Sequence, residues 1–537
     1  MRKILLSVFF SFMILSVAAE TYTSTGIGNW STSTNWSPNG VPGINDTAII
    51  NSAYISVDQS TIVAKLVVNA DMTLNVSNQL TVINTAGESS VSGTLSLAAD
   101  MVISDGNFAV NSGGEITVGA GNDFVFSSSS GDTFTNNGDV RGQSTSSTYG
   151  TILFDGSITG NGDFKYDLYL PAVSGAWELA GAPFTGGSVT SFMSGNSDLA
   201  TNGSNQWTDE RAIGPYDNTD NSFTTWTYSE AAGKVFTAGN GYHMATENGS
   251  TVTFTGAYNV SPVSKSITYN ETDPWAADGG TRFNLISNPY PSYLSLNTSA
   301  DSNDNFLSQN LTQFDSGAHK SVHAWNGSGY DTFTNSDGAK YIAPGQAFFV
   351  GSKPGGGTVQ FTTAMQKQAS NGNGFYDPND DDERGELFIN INHLSNDKFT
   401  KIFFLPNGTD DIDPAYDGAL FEFDDSPSLY SIAVDSQDNI KLASQTLAYS
   451  EMWDKVIPLG INALGGEEMT ISISHRTTPA DLNIYLEDTE EGTMTNLLDG
   501  DYVLTPTSDL EGVGRFFIHM TADTMSNGEV STSMLNA

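Results

Sequence analysis

Apolar and polar residues alternate along this chain in short runs, and the runs are bounded by Gly, Asn, Ser and Asp. A period of two predicts half-buried β-strands, and no stretch keeps a helical period for long. From Thr47 to Phe164 the strands form a ladder that includes "TAIINSAYISVD", "AKLVVNADMTLNV", "VSGTLSLAADMVI" and "GNFAVNSGGEITV". Apolar pairs recur there roughly every 15 to 25 residues with small polar corners, the pattern of coils in a parallel β-solenoid. A Greek-key sandwich is the alternative, but the absence of Pro from the ladder favours the solenoid. The preceding "GNWSTSTNWSPNGVPGINDTAII" supplies Trp30 and Trp36, with Pro42 and Asp46 to shape turns, and is expected to cap the open end.

Beyond Lys165 the strands become aromatic-rich and the loops longer. "AWELAGAPF" (176–184) and "RFNLISNPY" (282–290) share a frame, with Trp177 over Phe283 and Pro183 over Pro289 at an offset of 106 positions. Lys234 and Gly239 fall on Lys340 and Gly345 in the same frame, and Phe254 falls on Phe361 one residue later. These matches predict an internal duplication, about 166–265 and 272–368. Trp226 and Trp325 are read as equivalents. Each half has few strands and would bury little alone, so one intertwined unit is expected within 166–368.

An acidic linker is expected over 369–385. From 386 to 522, short strands including "LFININ", "TKIFFLP", "VIPLGI", "MTISIS" and "RFFIHM" are separated by turn signals at the spacing of an antiparallel sandwich. The expected fold is therefore all-β: an N-terminal right-handed parallel β-solenoid (20–165), a duplicated β-unit, and an antiparallel β-sandwich.

Whole-chain properties narrow the function. The chain has 537 residues and no cysteine, which excludes disulfides and thiolate chemistry. Residues 1–19, with Arg2-Lys3, an apolar run and Ala18-Ala19, read as a cleavable secretory signal. The apolar run is shorter than the roughly 20 residues of a membrane span, and no transmembrane segment is expected. With 20 basic against 61 acidic residues the net charge is −41, so nucleic acid is excluded as a partner. Such acidity suits either a soluble protein in salty surroundings or one that binds divalent cations.

"NLISNPYPS", "PGQAFFV" and "GTVQF", followed by "AYDGALFEF", "LYSIAV", "VIPLGI", "LNIYLED" and "GRFFIHM", resemble the C-terminal halves of large secreted surface proteins of Bacteroidetes. The resemblance covers nearly all of the chain after the signal and implies export by the type IX secretion system. It also implies an extracellular or outer-surface location and an adhesin-like or matrix role. In such proteins a sorting domain follows the sandwich. Residues 523–537 look like the connector to it, and the domain is missing before Ala537, so the chain is read as a fragment or as lacking that signal.

Few constellations carry chemistry. Between Thr47 and Lys165 the basic residues are Lys65, Arg141 and Lys165, too few for a solenoid lyase, and Asp71, Asp100 and Asp105 lie at strand ends where turn roles are expected. His319 and His323 would form a zinc pair only on a helix, and their context is loop running into strand. No nucleophile with a recognisable base is found, so no catalytic residues are assigned. Asp377, Asn379 and Asp381 alternate like the start of an EF-hand loop, but Asp382 and Phe388 stand where that loop needs Gly and Glu. With Asp413 and Asp417 they remain candidate Ca²⁺ ligands, the alternative being Asx-turns. Trp207, Trp226, Trp275 and Trp325 could stack on sugars or belong to the core. The preferred reading is a non-catalytic secreted or surface protein with an extracellular glycan or surface protein as partner; the alternative is a carbohydrate-binding or polysaccharide-degrading β-helix protein.

Overall fold

The computed structural model describes residues 19–522 except 128–130, 175–176, 204–207, 272–278, 369–383, 423–426 and 436–439. The chain is all-β apart from two short α-helices and a few 3-10 turns among the described residues, and no described helix is long and apolar enough to cross a membrane. It divides into two compact units, Met1–Arg141 with Ile152–Asp163, and Gly142–Thr151 with Phe164–Ala537.

The first unit is a parallel β-solenoid. Ile55, Leu74, Leu95 and Ile116 stand in register on successive coils, and Leu80, Met101 and Phe124 do the same on another face. All seven are buried, because alternation along each strand turns every second side chain inward. The later coils fill the interior with rings: Phe108 and Phe134 stack at 5.8 Å, with Phe124 edge-on to both. Small polar corners have a physical cause. Asn69 Nδ2 donates to Asn51 Oδ1 on the preceding coil at 2.8 Å, and Asn111 Nδ2 to Ser92 Oγ at 2.9 Å. A Cβ on Gly93 would lie 2.3 Å from the carbonyls of Asn69 and Met72, so coils could not approach there with any other residue. In the N-terminal segment Trp30 and Trp36 are buried edge to face at 4.7 Å, Trp36 Nε1 donates to the Trp30 carbonyl, and Asp46 accepts from the backbone of Glu20 and Gly43.

The second unit holds the duplication. In the first repeat Glu178–Ala180 pairs with Tyr242–Met244, which pairs with Ile213–Asp217, which pairs with Ser222–Phe223; in the second, Phe283–Ser287, Ala347–Gly351, Val322–Trp325 and Tyr330–Phe333 follow the same order. Register is kept as well, Leu179 opposite His243 and Leu285 opposite Phe349. Each repeat adds a short helix, Val189–Gly195 or Phe306–Asn310. In each, a phenyl ring stacks on the last strand (Phe192 on Phe254, Phe306 on Phe361), and an Asn amide exchanges two hydrogen bonds with that strand's backbone, Asn196 with Thr253 and Asn310 with Gln360. The repeats interlock: Gly181 N–H donates to Gly345 O, and Ser287 N–H donates to Gly239 O.

The C-terminal strands form one hydrogen-bonded, mostly antiparallel sheet of eleven strands, with Asn396–Leu405 and Leu442–Ala448 parallel. Its apolar side folds onto itself around Leu387, Ile389, Ile402, Leu459, Ile471, Ile484 and Ile518, so a single curled sheet supplies both layers of the expected core. This sheet and the duplicated strands belong to the same compact unit.

Candidate functional site

Gly385–His393 pairs with Asn396–Leu405, bringing Glu386 opposite Phe403, Phe388 opposite Lys401 and Asn390 opposite Phe399. Leu387, Ile389 and Ile391 take the core phase, so this second set faces outward. Next to it, Met469–Arg476 places His475 opposite Phe388. Against this face stand the second repeat's Asp331 and Phe333 and the following Asp337, Gly338 and Lys340, and together these residues line a cleft of about 450 Å³.

Its floor is aromatic. Phe388 and Phe399 are half-buried and nearly parallel, with centroids 6.3 Å apart and an interplanar angle of 13°. Its charges offset one another. Lys401 Nζ lies 2.7 Å from Asp337 Oδ1, donates to the Thr332 carbonyl at 2.8 Å, and sits 4.6 Å above the Phe333 ring. Glu386 is shared by Arg384 at 2.6 Å and His475 Nε2 at 2.8 Å. Burial pushes the Asp331 carboxyl up and the Lys340 ammonium down, so both are held toward their neutral forms. Asn326 Nδ2 donates to Asp331 Oδ1. The result is a charge-compensated concavity with phenyl faces and hydrogen-bonding groups.

Residues 179–520 match the domain of unknown function DUF8693. The chain belongs to that family. The DUF8693 match starts within Glu178–Ala180 and ends within the last strand of the curled sheet, so it covers most of the first repeat, all of the second and every residue of the cleft. No curated protein and no solved structure matches the chain.

The residues singled out from sequence lie elsewhere in or around the DUF8693 region. Asp377, Asn379 and Asp381 fall outside the described residues, as do residues 1–18 of the signal, Trp207, Trp275 and the 523–537 connector. Asp413 and Asp417 come together, but in a turn: Thr409 N–H donates to Asp413 Oδ2, Asp413 N–H to Asp417 Oδ2, and Thr446 N–H to Asp417 Oδ1. Among the described residues no three metal-ligating side chains converge. His319 ends a 3-10 turn and His323 lies on a strand, where it contacts Ser321 and Thr332; burial holds both imidazoles down, at about 4 and about 3. Asn288 of "NPY" is a buried hub, its amide donating to the carbonyls of Ser292, Ile342 and Ala343 while Oδ1 accepts from Tyr290. Asp100 accepts from the Asp123 backbone, and Asp71 holds a positive φ of 64° in a turn. Trp226 and Trp325 are half-buried.

Sequence reasoning missed the cleft. A signal for it existed: in "GELFININH" and "DKFTKIFFL" Phe388, Phe399 and Phe403 fall on the phase opposite to Leu387, Ile389, Ile391, Ile402 and Phe404, where a plain surface strand would carry polar side chains.

Proposed function

We propose that this is a non-catalytic secreted or cell-surface protein, adhesin-like, that binds neutral extracellular glycan in the cleft between the second repeat and the curled sheet. The observation that carries this reading is the pair of parallel phenyl faces, Phe388 and Phe399, set among groups whose charges already offset one another. Aromatic faces take the C–H side of a sugar ring, while Asn390, Ser474 and Lys340 offer hydrogen bonds at the rim. A chain of net charge −41 repels acidic polysaccharide, which favours a neutral ligand. The resemblance to type IX-exported surface proteins of Bacteroidetes supports the extracellular setting. A glycan array with residues 20–537, followed by product analysis on the hits, tests the proposal. Retention of neutral glycans, lost in Phe388→Ala and Phe399→Ala, is the expected result; sugar turnover would move the protein to the polysaccharide-degrading alternative.

A further inference from the structure

Beside the cleft lies a second concavity of about 260 Å³, and the two share Asp331, Phe333 and Lys340 as a common wall. Most of its remaining lining is apolar, from Leu296, Val322, Ala324, Trp325, Ile342 and Phe348, and Asn326, Tyr341 and Gln346 complete it. Val322 and Ile342 belong to the second repeat's core, so this is a place where that core opens to the surface. An apolar cavity of about 150 Å³ is enough to hold a benzene ring, so this one has room for an aryl or short alkyl group.

Resting on the glycan reading, we propose that this pocket is the subsite for an apolar substituent carried by the sugar bound in the cleft, which makes the preferred ligand an aryl or alkyl glycoside. Adjacency decides the occupant. A group reaching the pocket across the Phe333 and Lys340 wall is already tethered to whatever lies on Phe388 and Phe399. The Lys340 ammonium, 5.7 Å above the Phe333 ring, marks where the polar compartment gives way to the apolar one.

Titration calorimetry of the full chain with methyl, hexyl and phenyl β-glycosides of glucose, galactose and N-acetylglucosamine tests this. For at least one sugar, the hexyl or phenyl glycoside is expected to bind about tenfold or more tighter than the methyl glycoside, because apolar surface leaves water. Ala324→Phe, which fills the pocket, should remove that gain and leave methyl glycoside binding unchanged. Ala324→Leu should remove part of it, and Phe399→Ala should weaken every glycoside. Methyl glycosides that bind as tightly as the longer ones would overturn the substituent pocket and leave the glycan reading standing. Hexanol or phenol binding as tightly as the corresponding glycoside would also overturn the inference, and would remove the sugar from the proposed function. No glycoside binding at all would overturn both.

Discussion

The backbone N–H of Gly181 donates to the carbonyl of Gly345 at 2.8 Å, and 106 positions further along, Ser287 donates to Gly239 at 3.0 Å. The exchange is reciprocal, so the two repeats are tied by the same contact used twice. Gly345 has a φ of +68°, and a Cβ there would lie 2.8 Å from the Gly181 carbonyl. Its counterpart Gly239 has a φ of +82° but only side-chain neighbours, the nearest at 3.3 Å. Gly345→Ala is therefore expected to cost about 1–3 kcal/mol and Gly239→Ala less, both measured by urea denaturation. Equal costs would mean that backbone strain alone acts and that the close approach at Gly345 contributes nothing.

The duplication was legible because its markers are residues that backbone geometry restricts. Gly239 and Gly345 need positive φ, and Pro183 and Pro289 sit at one frame position; loops and helices between them are free to change length. The helix Asn and Phe pairs escaped notice for that reason: Asn196 and Asn310 are equivalent in hydrogen bonding yet fall outside the 106-residue frame. The cleft was harder to see, since Asp337 and Lys401 lie 64 positions apart and only packing of the second repeat on the curled sheet joins them. The solenoid was legible because each coil repeats its own inward alternation.

Lys401 and Asp337 form a buried pair at 2.7 Å, and removing Lys401 leaves Asp337 without its nearest cation. Lys401→Met is expected to destabilise the chain by about 3–5 kcal/mol in chemical denaturation, because an isolated buried carboxylate is costly. Adding Asp337→Asn removes that orphan charge and should recover part of the loss. A double variant as unstable as the sum of the two single variants would show that the pair is not coupled.

His323 gives the fold an acid-sensitive element. Burial holds its imidazole down at about 3, against an ordinary value of 6.5, so folding favours the neutral ring. The stability this contributes is complete above pH 6.5 and is lost as pH falls toward 3, at up to about 1.4 kcal/mol per pH unit. His323→Gln keeps a polar side chain that does not titrate. Denaturation midpoints between pH 6 and pH 4 should therefore fall less steeply for the variant, and parallel slopes would refute the assignment.

Asp413 and Asp417 bear on calcium. A cation needs ionised carboxylates. Here both Asp417 oxygens accept backbone N–H groups, and burial pushes its carboxyl up to about 8, so at neutral pH the protonated form is the commoner one. Asp413 accepts from the backbone and hydroxyl of Thr409. The pair therefore shapes the turn that carries Ala415 at a φ of +74°. Asp413→Ala should lower the melting temperature by the same amount in calcium and in chelator, since the lost bonds involve no ion. A larger loss in calcium would place a cation at this turn, because only a ligand bound to the folded state makes the cost of losing Asp413 depend on its concentration.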